Sequence, residues 1–119
     1  MGLRCLLVDD SDGFLASATR LLEAQGMAVV GWARSGAEAV ALAVRLGPDV
    51  ALVDVELGEE DGVAVSRELA LRAPETRVVL ISAHGLDELD DVVAESPAAG
   101  FLPKMSLGVA AIEALLLGL

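Results

Sequence analysis

Residues 5–15 read Cys5-Leu6-Leu7-Val8-Asp9-Asp10-Ser11-Asp12-Gly13-Phe14-Leu15. An apolar run without polar alternation ends on two adjacent carboxylates, and a stretch of helical periodicity follows. A strand with no polar face belongs in the middle of a sheet covered on both sides, as in parallel α/β sheets. The carboxylates stand at its carboxyl end, where open α/β sheets bind their ligands.

The same unit recurs along the chain. Strands are expected at Leu3–Val8, Met27–Ala33, Val50–Val53, Arg77–Ser82 and Gly100–Leu102. Between them the spacing predicts helices near Ser11–Ala24, Ala37–Arg45, Gly62–Arg72, Asp87–Ala94 and Leu107–Leu117. Breakers fall in the connections: Gly26, Gly47-Pro48, Gly58, Pro74, Pro97 and Gly100. Five βα pairs joined by right-handed crossovers make a doubly wound α/β fold, a five-stranded parallel sheet with helices on both faces. At 119 residues the expectation is one domain over residues 1–119.

Composition narrows the function. Hydrophobic residues are 55% of the chain and charged residues 23%, enough apolar material for a folded core. No apolar run reaches the roughly 18 residues of a membrane span, and no basic, apolar leader opens the chain, so a cytoplasmic location is expected. A formal net charge of −11 with scattered arginines repels phosphate backbones, so no nucleic-acid binding is expected of this chain alone. Cys5 is the only cysteine and is expected to pack as a small hydrophobe. Lys104 is the only lysine.

The residues at the strand ends form a constellation. Asp9 and Asp10 follow the first strand, Asp54 the third, Ser82 ends the fourth, and Lys104 lies in the turn after the fifth. Converging carboxylates repel one another unless protonated or holding a cation. Oxygen-only donors suit a hard ion, and Mg²⁺ accepts one or two carboxylates completed by water and phosphate. Phosphoryl transfer to Asp54 needs an in-line oxygen nucleophile and positive charge around the equatorial oxygens, which the metal, Lys104 and the Ser82 hydroxyl would supply. Taken singly, each residue has a plainer reading. Asp10 or Ser11 caps the first helix, Ser82 is a turn residue, and Lys104 is a solvated side chain. Asp54 ends a buried strand and needs a partner. The joint occurrence at four strand ends favours the site.

Four stretches, LLVDDSDGFL (6–15), PDVALVDVELGEEDG (48–62), VVLISAHG (78–85) and AAGFLPKMS (98–106), are similar in order and spacing to the signature regions of response-regulator receiver domains. The resemblance covers essentially the whole chain. It implies a flavodoxin-like sheet of strand order 2-1-3-4-5, a sensor histidine kinase as phosphodonor and Mg²⁺ as cofactor. It further implies that Asp9 and Asp10 are the acidic pair at the metal and that Asp54 is the phosphoacceptor. Ser82 would be the switch hydroxyl, Lys104 the phosphate-contacting lysine, and the Glu56 main-chain carbonyl a further metal ligand. Phe101 occupies the place of the aromatic that turns inward on activation. Glu56 and His84, each two residues beyond a site residue, are expected to tune phosphoryl lifetime. Such a domain is not an enzyme beyond its own phosphorylation and dephosphorylation. GFLPK resembles receivers joined to helix-turn-helix outputs, which implies transcription control.

The sequence departs from the family pattern in two places. Met105 follows Lys104 where proline is frequent, which leaves the isomer of that bond open. Gly58 replaces a common proline in the loop after the acceptor, which suggests a looser loop.

Rival readings are a haloacid-dehalogenase-type phosphatase, from Asp10-Ser11-Asp12-Gly13 after an apolar strand, and a receiver-like docking module that takes no phosphate. The first leaves Asp54 without a role, and the second ignores a complete constellation. Flavin binding is weaker, since aromatics are 3% of the chain. The last helix, apolar nearly all round except Glu113, predicts a partner: either a second copy through helix four, strand five and helix five, or an output domain.

Overall fold

The computed structural model describes residues 2–83 and 94–118. Five parallel strands form one sheet: β1 (Arg4–Val8), β2 (Ala28–Ala33), β3 (Val50–Asp54), β6 (Arg77–Ser82) and β7 (Gly100–Pro103), in the spatial order β2-β1-β3-β6-β7. Counting these strands alone, that is the expected order 2-1-3-4-5. Helices α1 (Asp12–Ala24), α2 (Gly36–Leu46), α3 (Gly62–Arg72) and a last helix (Val109–Leu116) cover it. The helix expected at Asp87–Ala94 lies outside the described residues except for Ala94.

The unalternating strands feed two cores. Leu6, Val8, Ala51, Val53, Val78 and Leu80 pack with α2 and α3 on one face. Cys5, Leu7, Val50, Leu52, Val79 and Ile81 pack with α1 and the last helix on the other. Successive residues point to opposite faces, so a strand buried on both sides must be apolar at every position. Cys5 is fully buried, as expected of a small hydrophobe, and burial pushes its thiol pKa up to about 12.

Several boundaries move. Leu3 and Met27 fall just before β1 and β2, although Met27 is buried. The last helix starts at Val109, two residues later than expected, because Lys104–Ser106 form a separate 3₁₀ turn first. Gly58 in the sequence suggests a looser loop after the acceptor. That segment forms a small antiparallel hairpin, β4 (Glu56–Leu57) with β5 (Glu60–Asp61). Gly58 turns it with φ +61°, which glycine adopts freely and a proline ring forbids. Among the described residues no peptide bond is cis, so Lys104–Met105 is trans. Met105 is 98% exposed. No helix among the described residues is long and apolar enough to cross a membrane.

The last helix buries Ile112 fully, while Val109, Ala111, Leu115 and Leu116 pack half-buried against the second core. Ala110, Glu113 and Leu117 face outward. Its first N–H, on Val109, donates to Gln25 Oε1 at 2.8 Å, since the N-cap residue Gly108 has no side chain to offer.

Candidate functional site

The carboxyl ends of β1, β3 and β6 and the turn after β7 converge. Asp9 follows β1 and is held there by its N–H, which donates to the Ala33 carbonyl at 2.9 Å. Asp54 is the last residue of β3, inside the strand and not just beyond it. One carboxylate oxygen from each of Asp9, Asp10 and Asp54 lies within 4.8 Å of the others. Asp9 and Asp54 are buried and Asp10 is exposed.

Local contacts decide which carboxylates face the cavity. Ser11, not Asp10, is the N-cap of α1, its Oγ accepting from the Phe14 N–H at 3.3 Å. The capping role is thereby filled, and Asp10 stays with the acidic group. Asp9 Oδ1 accepts from the Ser11 N–H at 2.8 Å, which leaves its Oδ2 for the cavity. Asp54 Oδ1 accepts from the Glu56 N–H at 3.0 Å.

Lys104 crosses the cavity. Its Nζ donates to Asp54 Oδ2 at 3.1 Å and stands 2.7 Å from Asp9 Oδ2. The second contact is a short ion pair that holds this buried oxygen by charge. Burial holds the Asp54 carboxyl above the usual carboxylate range. The Glu56 N–H and Lys104 oppose that shift, and the charge of Asp9 adds to it. Burial pulls the Lys104 ammonium down, but its contacts with Asp9 and Asp54 outweigh this and leave it raised. Three carboxylate oxygens gathered within 4.8 Å, with no nitrogen or sulfur donor among them, form a donor set that fits a hard divalent cation such as Mg²⁺.

The remaining expected residues lie around this centre. Ser82 is buried at the end of β6, one residue past Ile81, which pairs with Asp54 across the sheet. Phe101 is buried in the core shared with α2 and α3, so its ring already occupies the interior. Glu56 is exposed in β4 at the rim. His84 lies outside the described residues.

A model of the response regulator receiver domain matches residues 5–115. The chain belongs to the response-regulator receiver-domain family. Among curated relatives of this receiver, the response regulator GacA of Pseudomonas viridiflava is 35% identical over 103 residues, 86% of this chain and 48% of that protein. The protein-glutamate methylesterase/protein-glutamine glutaminase of Alkalilimnicola ehrlichii is 39% identical over 108 residues, 87% of this chain and 27% of that protein. The receiver thus spans about half, or less, of the relatives it matches. The signal receiver domain of NarL from Mycobacterium tuberculosis superposes with a TM-score of 0.83 at 35% identity, covering 98% of this chain and 94% of that one. A response regulator from Burkholderia pseudomallei, solved with a phosphorylated aspartic acid and a calcium ion, superposes at 0.82 with 26% identity, covering 96% and 66%.

Sequence reasoning missed three contributors. Phe14 lies against Lys104, with Nζ 4.2 Å from the ring centroid. Glu60 accepts from the Gly36 N–H at 3.1 and 3.2 Å, tying the hairpin after the acceptor to the start of α2. Gly62 opens α3 directly against the Asp54 carbonyl. All three lie within the stretches 6–15 and 48–62 that resemble the family, but nothing in the order of residues there signals these contacts.

Proposed function

We propose that this receiver takes a phosphoryl group from a sensor histidine kinase onto Asp54 with Mg²⁺ bound, and thereby switches a partner-binding surface. The observation that carries the reading is Lys104 Nζ standing between Asp9 and Asp54 beside the three-carboxylate cluster. The phosphorylated aspartic acid in the Burkholderia pseudomallei relative supports the same chemistry here.

Asp9, Asp10, Asp54 and the Glu56 main-chain carbonyl would hold the ion. Bound there, Mg²⁺ would supply positive charge to offset the crowded carboxylates and the phosphoryl oxygens. The Glu56 N–H orients the Asp54 carboxylate. One carboxylate oxygen attacks phosphorus in line, the bond from phosphorus to the donor's leaving atom breaks, and the leaving group departs with the electron pair. Lys104 and the Ser82 hydroxyl stabilise the equatorial oxygens, a job of positioning and charge more than of covalent chemistry. Water later attacks the acyl phosphate, and Glu56 and His84 tune that step from the rim. Beyond these two reactions on itself the domain is not an enzyme.

The output is a conformational change. Ser82 moving toward the phosphoryl group leaves space that Phe101, already interior, retains. The surface of strand β7 and the last helix, together with the helix expected from the sequence near Asp87–Ala94, then favours a second copy. The half-buried apolar side chains of the last helix supply the contact. In the cytoplasm, such a switch would control transcription through an output domain, a reading supported by two further relatives named as transcriptional regulatory proteins, AlgB of Pseudomonas putida and LiaR of Bacillus subtilis.

The test is intact mass after incubation with Mg²⁺ and acetyl phosphate. One phosphoryl group is expected, and none on Asp54→Asn, because an amide is a far poorer nucleophile than a carboxylate. Undiminished labelling of Asp54→Asn removes the reading.

A further inference from the structure

Four contacts around the acidic cavity close into a circuit. Asp9 Oδ1 accepts from the Ser11 N–H at 2.8 Å, and Ser11 Oγ accepts from the Phe14 N–H at 3.3 Å. The Phe14 ring receives the Lys104 ammonium at 4.2 Å from its centroid, and that ammonium returns to Asp9 at 2.7 Å. Phe14 is therefore placed by the same turn that presents the acidic pair. Its ring is also anchored from behind, packed against the core under α1.

We propose that Phe14 is a positioning residue for Lys104, an aromatic seat that keeps the ammonium aimed across Asp54. This rests on Asp54 being the phosphoacceptor, and deepens that reading. A lysine side chain has four rotatable bonds and loses substantial rotamer freedom when held in one place. Lys104 begins a 3₁₀ turn whose next residue, Met105, is almost fully exposed, so little packing from its own turn restrains it. Its restraint comes from three contacts: two carboxylates and the ring.

These three respond differently to the reaction. A cation in the cavity competes for Asp9 and Asp54, and weakens their pull on the ammonium as Coulomb attraction is shared. Phosphorylation then replaces the Asp54 carboxylate by an acyl phosphate. The quadrupole of the ring is altered by neither event, and a cation over a partly desolvated aromatic face is attracted whatever else is bound. The ring offers no acceptor lone pair, so the N–H groups of the ammonium remain available to oxygen atoms on the side of Asp54. A leucine at position 14 would fill similar space without attracting charge. A tyrosine would keep the aromatic face.

Lys104 is the sole lysine, so lysine labelled with ¹³C gives a single side-chain εCH₂ signal to follow. The expected result is an upfield ring-current shift in the parent protein and in Phe14→Tyr, lost in Phe14→Leu. Phosphorylation of Asp54 by acetyl phosphate with Mg²⁺ is expected to slow roughly three- to tenfold in Phe14→Leu, the range a partly desolvated cation–π contact provides, and to recover in Phe14→Tyr. An unshifted εCH₂ signal in the parent overturns the seat directly. So does a Phe14→Leu protein that loses the shift yet is phosphorylated at the parent rate, or a Phe14→Tyr protein that keeps the shift yet is as slow as Phe14→Leu. A parent protein that takes no phosphoryl group, with the ring-current shift present, fails the phosphoacceptor reading instead. A Phe14→Leu protein that does not fold leaves the decision to the parent shift and the Phe14→Tyr rate.

Discussion

Gly62 presses its backbone against the carbonyl of Asp54: a Cβ at position 62 would overlap that oxygen far inside van der Waals contact, with the Asp54 carbonyl carbon and the Val55 Cα also at 2.8 Å. The Gly62 N–H meanwhile donates to the Val55 carbonyl at 2.8 Å. The end of β3 and the start of α3 are thus in backbone contact, and no flexible side chain lies between them to give way.

Gly62→Ala is accordingly expected to destabilise the domain by about 2–3 kcal/mol, the upper range for overpacking a site that cannot relax. In thermal denaturation this appears as a fall of roughly 8–12 °C for a domain of this size. Gly58→Ala, at a left-handed turn position with a side chain, Asp10, no closer than 3.6 Å, is the contrasting variant and loses only about 1 kcal/mol. Equal losses in the two would refute the steric account.

Asp54 is a stability cost in the absence of metal. Burial raises its carboxyl pKa in the folded state above the usual carboxylate range, so the native protein holds that proton longer than the unfolded chain. The resulting stability is present below the unfolded pKa and lost as pH rises through the raised folded value. With a chelator present, Asp54→Asn should flatten this acid-side dependence. At neutral pH it should melt above the parent. Melting temperatures from pH 4 to 8 test this, and Mg²⁺ should narrow the gap by stabilising only the parent.

Cys5 should be inert in the native state. Its thiol pKa is pushed up to about 12 by burial, from 9.0, and the thiolate is the reactive form. A maleimide at pH 8 should leave the folded protein unlabelled and add once in denaturant. The same shift makes stability decline as pH rises from about 9 toward 12, because the unfolded thiol ionises first. Rapid native labelling would contradict the burial.

Gln25→Ala removes the acceptor for the Val109 N–H and leaves the last helix without that cap. A loss of about 1 kcal/mol is expected, with faster hydrogen exchange in residues 109–112 and unchanged phosphorylation of Asp54. Exchange rates by residue distinguish this from a general loss of stability.

The alternation of strands and helices, the buried parallel sheet and the acidic edge after β1 were legible in the amino-acid order. Apolar periodicity and Gly or Pro breakers are local signals that the chain carries whatever its neighbours do. The family pattern in four stretches likewise pointed to Asp9, Asp10, Asp54, Ser82 and Lys104. The β4–β5 hairpin was not legible, because two-residue strands are too short to show a period and depend on Gly58 turning between them. Nor was the choice of Ser11 over Asp10 as the cap of α1, since both are good caps one position apart and only the placement of Asp9 and Asp54 decides which carboxylate is drawn into the cavity. Lys104 meeting Asp54 fifty residues away, and resting on Phe14 at the other end of the chain, is a through-space result. Such contacts arise because five strands of one sheet bring their carboxyl ends to one edge, a geometry that no local propensity encodes and that tertiary packing alone determines.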